Sequence, residues 1–265
     1  MQERSIQGDP GDQAAPFIIW TLRRTGGTTL NNLLMGASPY PAGLHEPFNH
    51  DREFGWVSQT YGESEDLEEL RRNVGRVLDT FPLFKTAFEM QAIAINKSIL
   101  WESAARGYRH IILDRKAEVD RLLSLELARV TGGWGKMDAE RIYAQYTSGA
   151  SQMEKFDVDW LVSHLEYCRQ MRVSLQQLMI EAGIAPQVVY FEDIYVDHDA
   201  GRRQIDALMR FVGLSPEKVP DYDASVADAL IYKGQNSARM MNLVPNIEEV
   251  RSRLHDLDTP HTFQF

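Results

Sequence analysis

A single cysteine, Cys168, in 265 residues excludes a disulfide framework and points to a reducing compartment or to indifference to redox. No apolar run is long enough to span a bilayer, and Met1 to Ala15 are polar, with no hydrophobic stretch of the kind a secretory signal carries. These residues read as a flexible N-terminal tail before one domain over residues 16–265, and the expected location is cytoplasmic. Basic residues are also scarce. The 28 Lys and Arg stand against 38 Asp and Glu, and a net charge of −10 excludes nonspecific nucleic-acid binding, which needs many phosphates neutralised. Internal repeats, low-complexity tracts and a convincing metal-ligand cluster are missing, as is the nucleotide-triphosphate loop G-x-x-x-x-G-K-[ST]. Any anion site in this acidic chain must therefore be local.

What is present is a core-forming chain, 43% hydrophobic, in which strand-like and helix-like segments alternate. Phe17 to Trp20, Phe81 to Phe88, Tyr108 to Leu113 and the run from Val188 read as strands. Helical spacing is predicted from about Thr29 to Leu34, from Glu65 to Leu78 with Leu67, Leu70, Val74 and Val77 on one face, and from Gln91 to Arg106. It recurs after Arg115 with Val119, Leu122, Leu123 and Leu127, and from Asp159 to Ala182 with Leu161, Leu165, Met171, Leu175 and Leu178. This β-α-β-α order predicts an α/β fold, a P-loop-like, mostly parallel sheet with helices on both faces and ligands beyond the strand C-termini.

Two strand-loop-helix segments carry the functional signal. In the first, Pro16-Phe-Ile-Ile-Trp-Thr-Leu-Arg-Arg-Thr-Gly-Gly-Thr-Thr-Leu30, an apolar strand breaks into a basic, glycine- and hydroxyl-rich turn. Gly26 and Gly27 allow close backbone approach, Thr28 and Thr29 bring hydroxyls and free N–H groups to a helix start, and Arg23-Arg24 focus positive charge. Such a loop suits an anion. The second, Arg109-His-Ile-Ile-Leu-Asp-Arg115, ends in an arginine and leads into a helix that carries Ser124.

The order basic residue, Thr, Gly, hydroxyls in Arg24-Thr25-Gly26-Gly27-Thr28-Thr29 is similar to the 5′-phosphosulfate loop of sulfotransferases, which use 3′-phosphoadenosine-5′-phosphosulfate (PAPS) as donor. Arg115 and Ser124 resemble the arginine and serine which that family offers to the donor's 3′-phosphate. Their spacing, with Thr131-Gly-Gly-Trp134 beyond, looks most like the bacterial trehalose-type, carbohydrate-directed branch. The segment Val188-Val-Tyr-Phe-Glu-Asp-Ile194, then Ile205 to Leu214, is similar to a third family feature, and alone it is ordinary α/β architecture. Two positions depart from the pattern: Lys116-Ala117 where relatives carry Asn-Pro or Glu-Asp, and Gly27 where a hydroxyl residue is common.

The resemblance implies in-line transfer of a sulfuryl group to an acceptor hydroxyl on a carbohydrate, glycolipid or other small molecule, with PAPS as co-substrate, no metal, and a possible homodimer. A P-loop-like kinase using ATP and magnesium and a non-catalytic nucleotide-binding protein are the alternatives. The loop Gly43-Leu-His-Glu-Pro-Phe48 offers two general bases, Glu46, which relatives favour, and His45, whose reference pKa lies near working pH. Lys85 stands in an apolar strand, so either its ammonium reaches the site or its stem snorkels to solvent; related enzymes carry a lysine in a strand here. Lys233-Gly234, with Gln-Asn-Ser237 and Arg239, either closes over the donor's adenine or 3′-phosphate or is an ordinary polar loop. His164 and Cys168 stand four apart without a third partner, and Trp56, Trp101, Trp134 and Trp160 are either core or a wall for a sugar ring.

Overall fold

The computed structural model describes residues 14–40, 44–134, 136–231 and 240–265. Five strands form one all-parallel sheet: β1 (Phe17–Thr21), β2 (Leu44–His45), β3 (Leu83–Ala87), β4 (Arg109–Asp114) and β5 (Gln187–Tyr190), in the order β2-β3-β1-β4-β5. β1 lies at the centre, pairing Phe17 with Leu83 on one side and with Arg109 on the other. From β1 the chain runs to β2 and β3 on one side, then crosses to β4 and β5 on the other. The boundary between β1 and β4 is therefore the topological switch point, and the crevice beyond their C-terminal ends is where such sheets hold ligands.

All five residues of β1 are buried, and their two-residue period decides which layer each enters. Ile18 and Trp20 join Phe84 and Ile112 in one core; Phe17 and Ile19 join Leu83, Ile111 and Leu113 in another on the opposite face. The first face is covered by α2 (Gly55–Ser64), α3 (Leu67–Thr80), α4 (Ile93–Ala104) and α7 (Val158–Glu181), whose Val57, Val74, Ile99 and Leu175 enter that core. The second is covered by α1 (Gly27–Ala37), α8 (Phe191–Tyr195), α9 (His198–Phe211) and α10 (Tyr222–Leu230). A third cluster joins α5 (Glu118–Thr131) to α7, α6 (Lys136–Thr147) and α11 (Ile247–Leu257) through Leu122, Leu165, Tyr143 and Leu254. Each fully buried Ile, Leu or Phe contributes about 1.5–3 kcal/mol, so the apolar central strand is the main anchor of the fold.

The predicted strands and long helices are present with shifted ends. α1 runs beyond Thr29–Leu34 in both directions, and Leu67, expected on the buried face of α3, is 56% exposed because it is the first helical residue, after the Asp66 cap. Asp66 accepts the N–H groups of Glu68 and Glu69. In α7 the buried stripe takes Met179 rather than Leu178, and it carries Arg172. The segment Gly43 to Phe48, expected as a loop, contains β2, and the sequence pattern does not predict α2, α6, α8, α10 and α11. No helix among the described residues is long and apolar enough to cross a membrane.

Candidate functional site

The β1–α1 connection turns through two left-handed residues, Arg24 (φ 70°) and Gly26 (φ 81°). Buried Thr25 between them fastens the turn by donating its hydroxyl to the Leu22 carbonyl at 2.9 Å. Left-handed backbone costs an arginine about 1–3 kcal/mol, so the surroundings must hold Arg24 there. α1 begins with no side-chain cap and no acidic residue in its first turn, so the N–H groups of its first residues lie at the positive end of the helix with no carboxylate to meet them. Gly27 is required for another reason. A Cβ there would stand 2.8 Å from Thr21 Cγ2 and 3.0 Å from Lys85 Cδ, so the glycine leaves room for the Lys85 stem beneath the turn.

The second segment meets the first. Arg24 Nε donates to Ser124 Oγ at 3.0 Å and its Nη1 to the Trp134 carbonyl at 3.4 Å, while Arg115 Nη1 donates to the Arg24 carbonyl at 3.5 Å. Arg24 thus meets Arg115 and Ser124, which lie 91 and 100 positions further along the chain, at the switch-point end of the sheet. Arg115 is further oriented by the Phe191 ring, 4.5 Å from its Cζ, and by Asp120 and Glu192 at 3.8 and 3.9 Å. Among the described residues no carboxylate lies within 4 Å of the Arg24 guanidinium. Among the described residues the Arg24 guanidinium and the start of α1 thus stand close in the chain without a carboxylate partner.

Across β3 lies the pair of candidate acid–base residues, Lys85 and Glu46. Lys85 is 6% exposed yet ion-paired through Nζ with Glu46, and Glu46 N–H donates to the Lys85 carbonyl at 2.7 Å. Glu46 is left-handed too (φ 53°), and its second oxygen accepts from Asn49 Nδ2 at 3.0 Å; Asn49 is in turn held by Gln91 at 2.6 Å. His45 points elsewhere: its Nδ1 lies 3.2 Å from Asn31 Nδ2 and its Nε2 2.8 Å from Asn32 Oδ1. Burial, then the Lys85 ammonium, hold the imidazole below its ordinary range. Both His45 nitrogens are therefore engaged by asparagine amides.

Other expected residues separate. Arg23 engages buried Glu89 through its backbone N–H at 2.8 Å and its Nε at 3.1 Å. Thr28 is exposed and Thr29 half-buried at the start of α1. Lys233 and Gly234 lie outside the described residues. Trp134 and Trp56 are exposed, 49% and 43%, so neither is core. Cys168 is buried 3.5 Å from His164; burial pushes its thiol up to about 11 and the imidazole down to about 4, so the pair is neutral packing.

Two arrangements were not foreseen. Arg172 of α7 bridges Asp114 (2.8 and 2.9 Å) and Glu118 (2.6 and 3.0 Å), and fully buried Arg121 binds Glu118 at 2.8 Å and the Arg23 carbonyl at 3.3 Å. Burial works against the Glu118 carboxylate, but Arg121 and Arg172 outweigh it and hold the group well below its usual range. The available signal was an arginine, Arg172, directly after Met171 in an otherwise apolar helical stripe. The second is Glu192, whose two oxygens accept the N–H groups of Lys116 (2.9 Å) and Ala117 (3.0 Å), closing the turn before α5.

No protein-family model matches the chain, and no curated protein is significantly similar to it. The functional reading therefore rests on the residues themselves.

Proposed function

We propose that this protein is a sulfotransferase that moves the sulfuryl group of PAPS to a hydroxyl of a carbohydrate or related acceptor. The observation that carries the reading is the meeting of Arg24, Ser124 and Arg115 beside the uncapped start of α1, two groups of anion donors at one switch point. The donor set fits a nucleotide bearing two separate anionic groups. Arg24 and the first N–H groups of α1 receive the 5′-phosphosulfate, and Arg115 and Ser124 the 3′-phosphate.

Bound there, the donor supplies a sulfur centre open to in-line attack and a phosphate leaving group. The chain supplies position, charge and a proton acceptor. Glu46 takes the acceptor's proton: Asn49 and Lys85 each engage one of its oxygens, and a carboxylate oxygen keeps a further lone pair where an imidazole nitrogen does not. The Lys85 stem passes beneath Gly27, and its Nζ, paired with Glu46, stabilises the oxygens that gain charge as the bridging bond breaks. His45, with both nitrogens engaged, holds the loop.

Calorimetric titration with adenosine 3′,5′-bisphosphate, beside ATP with and without magnesium, tests the reading. Magnesium-independent binding that is lost when the 3′-phosphate is removed is the expected result; a preference for magnesium-ATP overturns it in favour of a kinase. In a sulfation assay with a binding-competent donor, Glu46→Gln lowers turnover about 10²–10⁴-fold while leaving nucleotide affinity within about twofold. Unchanged turnover removes Glu46 from the mechanism.

A further inference from the structure

The segment Tyr190-Phe-Glu-Asp-Ile-Tyr195 has no part in the chemistry above, yet it touches both halves of the anion site. Glu192 consumes the N–H groups of Lys116 and Ala117, and its Oε1 lies 3.9 Å from Arg115 Nε. The Phe191 ring supports the Arg115 guanidinium at 4.5 Å. On the other side, the Tyr195 hydroxyl donates to the Gly26 carbonyl at 3.0 Å. The two rings also fill the space a Gly26 side chain would need: a Cβ there would stand 2.6 Å from Tyr195 Cε2 and 3.3 Å from Phe191 Cδ2.

We infer that α8 is a clamp: Phe191, Glu192 and Tyr195 are positioning residues that lock the β1–α1 loop against the β4–α5 turn and so set the separation of the two groups of anion donors. Its base is rigid. Ile194 is fully buried, and α9 abuts the α8 backbone so closely that a Cβ on Gly201 would lie 2.0 Å from the Ile194 carbonyl oxygen. A fixed separation selects ligands by the distance between their anionic groups. Glu192 also removes the turn's own N–H groups from competition, so on that side side chains meet the ligand. Lys116 pairs with Asp193 at 2.6 Å, which ties the same turn to α8 a second time.

The nucleotide part of this inference rests on the proposed function; the clamp itself does not. The full chain, with Glu192→Gln and Tyr195→Phe variants, is followed by amide hydrogen exchange without ligand and by titration with adenosine 3′,5′-bisphosphate and adenosine 5′-monophosphate. Removing a hydrogen-bond partner of this kind is worth about tenfold or more. Glu192→Gln is expected to raise exchange by at least about that factor across residues 115–118, well above any change in the sheet core. It also weakens the bisphosphate about tenfold while leaving the 5′-monophosphate within about twofold. Tyr195→Phe raises exchange across residues 24–29 and weakens both nucleotides. Unchanged exchange in both segments, or an increase spread evenly over the protein with a lowered midpoint, overturns the clamp. If the wild-type chain binds neither nucleotide, the sulfotransferase reading fails, and local exchange alone decides the clamp.

Discussion

Two helices start at the same edge of the sheet, one after β1 and one after β4, and they meet their N-terminal charge in opposite ways. α5 is supplied from within: Glu118 and Asp120 stand in its first turn, and Glu192 reaches across from α8 to take the N–H groups just before it. α1 has neither a cap nor an acidic residue there, and the arginine leading into it has a hydroxyl and a carbonyl for partners. The macrodipole is the same in both cases, so the difference lies in where the balancing negative charge comes from. The α5 end is a closed structural junction that presents Arg115 and Ser124 as side chains; the α1 end has no such carboxylate in its first turn, which is what the proposed function uses.

The strongest way to break this comparison is to open the closed junction. Arg172→Met strands the buried carboxylate of Asp114 and leaves Glu118 with Arg121 alone, and it is expected to cost about 3–5 kcal/mol in urea unfolding. A loss under about 1 kcal/mol would mean that the network is dispensable.

Acid attacks the same end. The Glu118 carboxyl is held below its ordinary value of 4.5 in the folded chain, so at low pH the unfolded chain takes up the proton first. The stabilisation is present above pH 4.5 and is lost progressively as the pH falls below it. Unfolding free energies followed downward from pH 7 should show that slope, and it should flatten in Glu118→Gln.

The open end responds differently. Arg24→Gly relieves the left-handed strain and is expected to raise stability by about 1 kcal/mol. In the same variant, loss of a charge-assisted hydrogen bond of about 1.5–3 kcal/mol weakens adenosine 3′,5′-bisphosphate roughly ten- to a hundredfold. Denaturant unfolding and calorimetry on one sample measure both. If stability and affinity fall together, Arg24 belongs to the scaffold and the contrast between the two helix starts disappears.

Much of this was legible in the chain because it is local. Phe17 to Trp20 are apolar without a break, and Gly26-Gly27-Thr28-Thr29 has the composition of a tight turn at a helix start, so strand, loop and helix could be read in sequence. Arg115 and Ser124 sit at a strand end and one helical face beyond it, and Lys85 stood out as a cation in an apolar strand. What could not be read were the pairings. Nothing local distinguishes Arg23, which turns to Glu89, from Arg24, which turns to Ser124; the two arginines are neighbours, and the left-handed backbone at Arg24 sends them apart. His45 and Glu46 are likewise adjacent, and only the packing of β2 beside β3 pairs Glu46 with Lys85 and leaves His45 to Asn31 and Asn32.

The sequence by itself determined the alternation of elements and the residues lining each connection, because hydrophobic period, glycine placement and charge are properties of short windows. Tertiary structure alone decided which cations are paired with carboxylates and which are not. That choice depends on the carboxylates that arrive from distant segments: Glu192 at the β4–α5 turn, Glu89 at Arg23, Asp114 and Glu118 at Arg172, and none at Arg24 among the described residues. In a low-dielectric interior a charge is balanced by what lies within a few ångströms, whatever the distance along the chain.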